Sequence, residues 1–183
     1  MFAVIDCGTT MTRIYIVDED TLKIVASGRR KVGVRDTSIT GSRDALRNGI
    51  TELFFQILEE NKIPDSSVFF SIASGMITSE VGLIDIPHLI APVGLAQLSA
   101  GVVKVEDPEV LPLGRPTYFV RGIRNHYAEN ANAHDLRDVD FMRGEEVQCI
   151  GIMRERNIPL PGNIVALSSH TKIIAVNQAG QIE

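Results

Sequence analysis

The sequence predicts an α/β protein built on one mixed sheet with an antiparallel start, and three observations carry that reading. Over residues 2–32, apolar runs alternate with turn-forming residues, the pattern of neighbouring antiparallel strands. Beyond them, strand-like runs alternate with stretches of helical periodicity, which implies βα units and parallel pairing. The composition agrees. A chain of 183 residues, 44% hydrophobic and 22% charged, can bury one core and is not a disordered protein.

Taken in order, residues 2–5 and 13–17 read as strands flanking the turn "DCGTT". A third strand, 23–32, follows the polar hairpin turn "DEDT". The stretch "GVRDTSITGS" (33–42) reads as a loop whose Ser42 can cap a helix running to about Asn61. Ala45, Leu46, Ile50, Leu53, Phe54, Ile57 and Leu58 recur at helical spacing and form its expected buried stripe. Pro64 and Asp65 stop it. "SVFFSIA" (67–73) makes a fourth strand, and its unbroken apolar run predicts burial on both faces.

That strand ends in "SGMITSEVG" (74–82), small and hydroxyl-bearing residues at a place where α/β sheets bind ligands. A second helix is expected in "PVGLAQLSAGV" (92–102), and a strand in "TYFVRGI" (117–123). Residues 125–139 read as an irregular, Asn-rich surface loop. A helix is expected from Phe141 to about Glu155, and "IVALSSHTKIIAV" (164–176) reads as a closing hairpin.

Charge and cysteine content narrow the function classes. A net charge of −5 offers no electrostatic reason to expect nucleic acid or an anionic membrane as partner. The one local basic stretch, "GRRKVGVR" (28–35), reads as the solvated end of a strand and its loop. Cys7 and Cys149 have no metal-type spacing and imply neither a disulfide framework nor a zinc site. His88, His126, His134 and His170 likewise share no spacing that would make a metal site. The opening "MFAVID" has no basic targeting region and is too short for a membrane span, so a cytoplasmic location is the expectation.

The two hairpins echo one another. Each has a small or hydroxyl-rich turn between short apolar strands, "CGTT" in the first and "SSHT" in the second, with a cation following. Facing each other across a cleft, such turns could hold a triphosphate through backbone N–H and hydroxyl donors. Asp6 would then order waters around a magnesium ion bridging the phosphates. The plain alternative is an Asx-type residue satisfying the hairpin's own amides, and two similar hairpins also arise by chance.

The motifs "DCGTTMTR" (6–13), "SGMITSEVG" (74–82), "APVGLAQL" (91–98), "GIRN" (122–125), "DVDFMRGEEVQCIG" (138–151) and "LSSHTK" (167–172) occur in a telling order. Together they resemble the 2-dehydro-3-deoxygalactonokinases, sugar-acid kinases of the actin/hexokinase/Hsp70 superfamily. "MRGEEVQ" is the most specific of them; "DCGTT" alone marks only the broader carbohydrate kinases. The resemblance implies a ribonuclease-H-like (actin-like ATPase) fold, with ATP and Mg2+ as cofactors. It implies transfer of the γ-phosphate to the 6-hydroxyl of 2-dehydro-3-deoxy-D-galactonate. On it, Asp6 acts through metal-bound water, and Gly8, Thr9 and Thr10 line the phosphates. Ser74, Gly75 and Met76 lie on the sugar-acid side, and Arg13 and Arg124 meet the substrate carboxylate or the phosphates. Arginine suits that work because its planar fork binds two oxygens at once.

Related kinases place a catalytic aspartate at the start of the helix before the second hairpin. Here Gly144-Glu145-Glu146 stands there, so Glu145 is the candidate base, with Glu146 and Asp140 behind it. The ordinary alternative for Glu145 is an acidic residue favoured by the helix dipole. In the second turn Ser168 replaces the glycine usual in the family, while Ser169, Thr171 and Lys172 retain donors for phosphate. The division expected is a lobe at 1–160 and, at 161–183, the first hairpin of a second lobe. The isolated chain is therefore expected to lack activity, and its hairpin to be poorly ordered or to self-associate through 163–183. Two other readings stay open, a non-catalytic binding relative of the kinases and a superfamily phosphohydrolase.

Overall fold

A computed structural model describes residues 1–127, 134, 139–167 and 171–183. The chain forms two compact units, Met1–Ile86 with Val102–Val120 and Pro87–Gly101 with Arg121–Glu183.

The first unit is organised by its opening hairpin. Strands β1 (Phe2–Cys7) and β2 (Thr12–Val17) pair antiparallel, and β3 (Ile24–Arg30) adds to β2 in the same sense. The predicted meander is therefore present. Residues 33–42 are not a loop throughout. Helix α1 (Val34–Thr40) occupies them, too short and too rich in β-branched and hydroxyl side chains to announce itself by periodicity. Burial of Val34 and Thr37 holds it in place.

Helix α2 (Asp44–Glu60) follows, and Ser42 Oγ accepts the Asp44 N–H at 3.1 Å, near the expected cap. Six of the seven predicted stripe residues are buried; Ala45 is exposed, one step off the buried line of Leu46, Ile50, Leu53 and Ile57. Strand β4 (Ser71–Gly75) begins later than expected, because Phe69 stands 57% exposed outside the sheet. It lies parallel to β1, which fixes the mixed character of the sheet.

In the second unit come β5 (Leu89–Ile90) and α3 (Leu95–Ala100), the latter inside the predicted helical stretch. Strand β6 (Val103–Val105), which the sequence reading did not foresee, returns to the first unit and pairs antiparallel with β7 (Thr117–Phe119). The six-stranded order is β3-β2-β1-β4-β7-β6. One face of its first strands, with Ala3, Ile5, Cys7, Ile14, Ile16 and Ala73, is sealed in the core together with α2.

The single strand expected at 117–123 is two. β7 ends at Phe119, and β8 (Ile123–Arg124) joins a separate sheet of order β5-β8-β9. Gly122 marks the break, since its backbone lies so near Met142 that an added Cβ would sit 2.4 Å from that carbonyl oxygen. The helix expected from Phe141 also starts later. Phe141–Met142 form strand β9, and α4 runs Glu145–Arg156 because Gly144, at φ 108°, cannot continue a helix backwards.

The closing hairpin is present as β10 (Gly162–Ala166) and β11 (Lys172–Val176). Ile174 and Val176 are buried, and Ile182 bridges both Val93 and Val176. Val165, Leu167 and Ile173 are exposed. No described helix is long and apolar enough to cross a membrane. The loop expected at 125–139 falls mostly outside the described residues.

Candidate functional site

Alternation along β1 decides which way the turn residues face. Ala3, Ile5 and Cys7 point into the core, so Asp6 belongs to the opposite face of the sheet. Its register partners are Arg13 on β2 and Ser74 on β4, so the three stand side by side at one end of the sheet. Arg13 Nη1 donates to Asp6 Oδ2 at 3.1 Å, with the carboxylate one-third exposed.

The turn itself is braced from below. Gly8 N–H donates to the Met11 carbonyl at 2.9 Å, leaving Thr9 and Thr10 exposed at the tip. The Gly8 and Thr9 carbonyls accept N–H groups from Val34 (3.4 Å) and Arg35 (2.9 Å) at the start of α1. Carbonyls occupied in this way no longer present their negative ends to an anion, while the threonine hydroxyls remain as donors. Gly33 makes the contact feasible, since a Cβ there would stand 2.4 Å from the Thr9 carbonyl oxygen. Thr12, fully buried, donates to the Val32 carbonyl at 2.9 Å and ties the far side of the turn. Behind it, burial pushes the Cys7 thiol up to about 12, so it is no nucleophile near neutral pH.

The second stretch, 74–82, is a compact, self-bonded loop. Ser74 and Gly75 are buried and Met76 is half-buried. Thr78 Oγ1 donates to the Gly75 carbonyl at 3.2 Å and Ser79 Oγ to that of Met76 at 2.7 Å.

The second unit carries the acidic candidates. Glu145, half-buried in the first turn of α4, accepts the Arg143 N–H at 3.2 Å through Oε2. Glu146 differs from it sharply, being wholly buried. Its Oε1 and Oε2 take the Gly144 N–H at 2.8 and 2.7 Å. Burial lifts its carboxyl to about 7, against the pull of the Gly144 N–H and its own. Glu145's charge raises it further and Arg143's lowers it. Neighbouring Cys149 is pushed up to about 11, chiefly by burial and then by Glu146's charge.

Asp140 accepts from Lys172 Nζ at 2.5 Å, and Lys172 also donates to the Phe141 carbonyl. This lysine therefore staples β11 to the approach of β9, and a phosphate would have to draw it away. Arg124 places its guanidinium 4.3 Å from the Tyr127 ring centre, with Nη1 donating to the Asn125 carbonyl. Ser168 and Ser169, like His170, lie outside the described residues. Among the described residues no group of three or more His, Cys, Asp or Glu gathers to hold a metal.

A pH dependence of stability follows from Glu146. Its folded pKa of about 7 exceeds its ordinary 4.5, so between those values the folded protein keeps a proton that the unfolded chain releases. The stabilising contribution is full below about 4.5 and is lost as pH rises through about 7. Urea titrations should show unfolding free energy falling by roughly 1–3 kcal/mol from pH 5 to pH 8. Glu146→Gln should flatten that slope; an unchanged slope would refute the assignment. Asp18, whose carboxyl is lowered by Thr21, acts below this window and does not disturb it.

Comparison with known proteins bears on this arrangement as a whole. A family model described as 2-keto-3-deoxy-galactonokinase matches residues 6–183, which takes in both the "DCGTT" turn and the "RGEE" helix. A crystal structure from Sinorhizobium meliloti, provisionally assigned as a 2-dehydro-3-deoxygalactonokinase protein, is 20% identical with a TM-score of 0.74. It is matched over 100% of this chain and 51% of its own, so this chain spans about half its length. A reductive activator for a corrinoid, iron-sulfur protein gives a TM-score of 0.61 at 15% identity, over 97% of this chain and 29% of that one. No curated protein sequence matches. The structural likenesses show the fold, a mixed α/β sheet of the ribonuclease-H-like, actin-like kind. The length of the family match carries more, and on it the chain belongs to the 2-keto-3-deoxy-galactonokinase family.

Proposed function

We propose that this chain carries the phosphate turn and the catalytic base of an ATP-dependent kinase. Its acceptor is the 6-hydroxyl of 2-dehydro-3-deoxy-D-galactonate. The observation that supports this most is the braced turn at Gly8–Met11 beside Asp6, in a chain whose family match runs through to the "RGEE" helix.

In this reading the exposed Thr9 and Thr10 hydroxyls donate to phosphate oxygens, and Arg13 adds a charged donor beside them. Asp6, one-third exposed and with Oδ2 engaged by Arg13, offers its other oxygen to Mg2+, which keeps most of its waters and is bound by one or two carboxylates plus substrate phosphates. Such an ion supplies neutralisation of the phosphate charge. Glu145 accepts the proton of the sugar hydroxyl as its oxygen bonds to the γ-phosphorus and the bond to ADP breaks. Ser74, Gly75 and Met76 bound the sugar side. Arg124, its guanidinium carbon over the Tyr127 ring, is the candidate for the sugar-acid carboxylate, because a guanidinium on an aromatic face keeps N–H donors for a carboxylate.

The test uses the protein expressed from its complete reading frame. Incubated with Mg2+, γ-labelled ATP and the sugar acid, it should release ADP and a 6-phosphorylated acid in equal amounts. ADP release that does not depend on the sugar acid would indicate hydrolysis and sink the kinase reading.

A further inference from the structure

The two glutamates of "RGEE" have different environments, and the buried one has no role in the chemistry proposed above. A first-turn glutamate is ordinarily solvated, drawn there by the helix dipole. Glu146 instead has no exposed surface, and the helical spacing 146, 149, 150 sets it beside Cys149 and Ile150 on the buried face of α4. Removing a carboxylate from water is costly unless hydrogen bonds compensate, so its partners matter. Both oxygens converge on the Gly144 N–H, at 2.7–2.8 Å, and the residue's own N–H adds a second backbone donor.

Gly144 is the residue whose conformation launches α4. At φ 108° and ψ −40° it lies where side-chain-bearing residues rarely go, and the chain turns there from β9 into the helix. The Glu145 carboxylate, one residue on, is oriented by the Arg143 N–H on the other side of the same glycine. Holding the Gly144 N–H therefore fixes the peptide planes on which the Glu145 carboxylate depends.

We propose that Glu146 is a positioning residue that clamps the Gly144 turn and thereby aims the Glu145 carboxylate at the acceptor hydroxyl. This rests on the kinase reading for its catalytic consequence, though not for the clamp itself. Glu146 touches no substrate. Its carboxylate works through the backbone, and that separates it from a second base.

Two variants and two readouts test it, on the protein from its complete reading frame. Glu146→Leu keeps the volume and burial but removes the acceptor; Glu146→Gln keeps one acceptor oxygen. Amide hydrogen exchange at Gly144 should quicken by about tenfold or more in the leucine variant, because the N–H loses its partner. Its kcat should fall by about 10²-fold, the scale of a slightly misplaced catalytic group, with KM for ATP and sugar acid within about threefold. The glutamine variant should restore most of both. Gly144 exchange unchanged from wild type in the leucine variant overturns the clamp, and full kcat despite faster exchange overturns its link to Glu145. Should the leucine variant not fold, Glu146→Met, which likewise lacks an acceptor oxygen, takes its place and the same two outcomes decide. If the wild type phosphorylates no sugar acid, the functional reading falls alone, since the exchange comparison still measures the clamp.

Discussion

Glu145→Gln in the protein from its complete reading frame should lower kcat by about 10²–10⁴-fold, the usual contribution of a general base. That corresponds to roughly 3–5 kcal/mol of transition-state stabilisation. The amide is nearly isosteric and can still accept the Arg143 N–H through its carbonyl, so the start of α4 should keep its shape. Sugar-acid and ATP binding should accordingly persist, and isothermal titration can confirm that the loss lies in turnover. Asp140 is a poor substitute for the role, since Lys172 and the Phe141 N–H already engage its carboxylate. Glu146 is a poor one as well, because it is sealed from solvent and turned toward Gly144. Near-normal kcat in Glu145→Gln would remove Glu145 from the mechanism and leave those two to be examined in turn.

The opening hairpin was legible because its information is local. Alternation on β1 and β2 and the four-residue turn between them specify both the pairing and the face on which Asp6 stands. Helix α2 was legible for the same reason, with seventeen residues of sustained period. Elements governed by tertiary contacts were not. Helix α1 has seven residues and no apolar stripe long enough to read; its place is set by hydrogen bonds to the Gly8 and Thr9 carbonyls. The split between β7 and β8 depends on how closely Gly122 approaches the Met142 backbone, and nothing in "TYFVRGI" encodes that distance.

The acidic pair shows the same limit on the scale of one side chain. In sequence Glu145 and Glu146 are interchangeable letters, and position relative to the second hairpin favoured the first of them. Only helical phase distinguishes them, and a signal was available. Glu146, Cys149 and Ile150 follow the i, i+3, i+4 rule of a buried face, whereas Glu145 does not join it. A charged residue on an apolar stripe marks either an error of phase or a buried polar contact, and here it is the contact with Gly144. The bracing of the Gly8–Met11 turn had a signal too, in the glycines at 33 and 75, but their partners are distant in sequence and emerge only from the fold.

Gly75 gives that bracing its sharpest test. It closes β4 opposite Cys7, one residue beyond the Asp6–Ser74 pair, at φ 88° and ψ −153°. Glycine is nearly alone in tolerating that region, and forcing a side chain into it costs about 1–3 kcal/mol. The surroundings add a second penalty. A Cβ would stand 2.5 Å from the Cys7 carbonyl oxygen, which is held by strand pairing and cannot swing aside as a side-chain tip would. Gly75→Ala should therefore lose about 3 kcal/mol or more of stability in urea unfolding, at the severe end for a single methyl group. The damage should also be directional. Pushing β4 away from β1 at this end displaces Cys7 and Asp6 together, so the alanine variant should lose nucleotide affinity at temperatures where circular dichroism still reports a folded sheet. Ile39→Ala, on the exposed side of α1 and outside these contacts, is the matched control and should change neither quantity. A Gly75→Ala protein as stable as wild type would mean that strand pairing at Cys7 yields easily. The turn at Asp6 would then owe its shape to α1 and to the Thr12–Val32 and Gly8–Met11 hydrogen bonds.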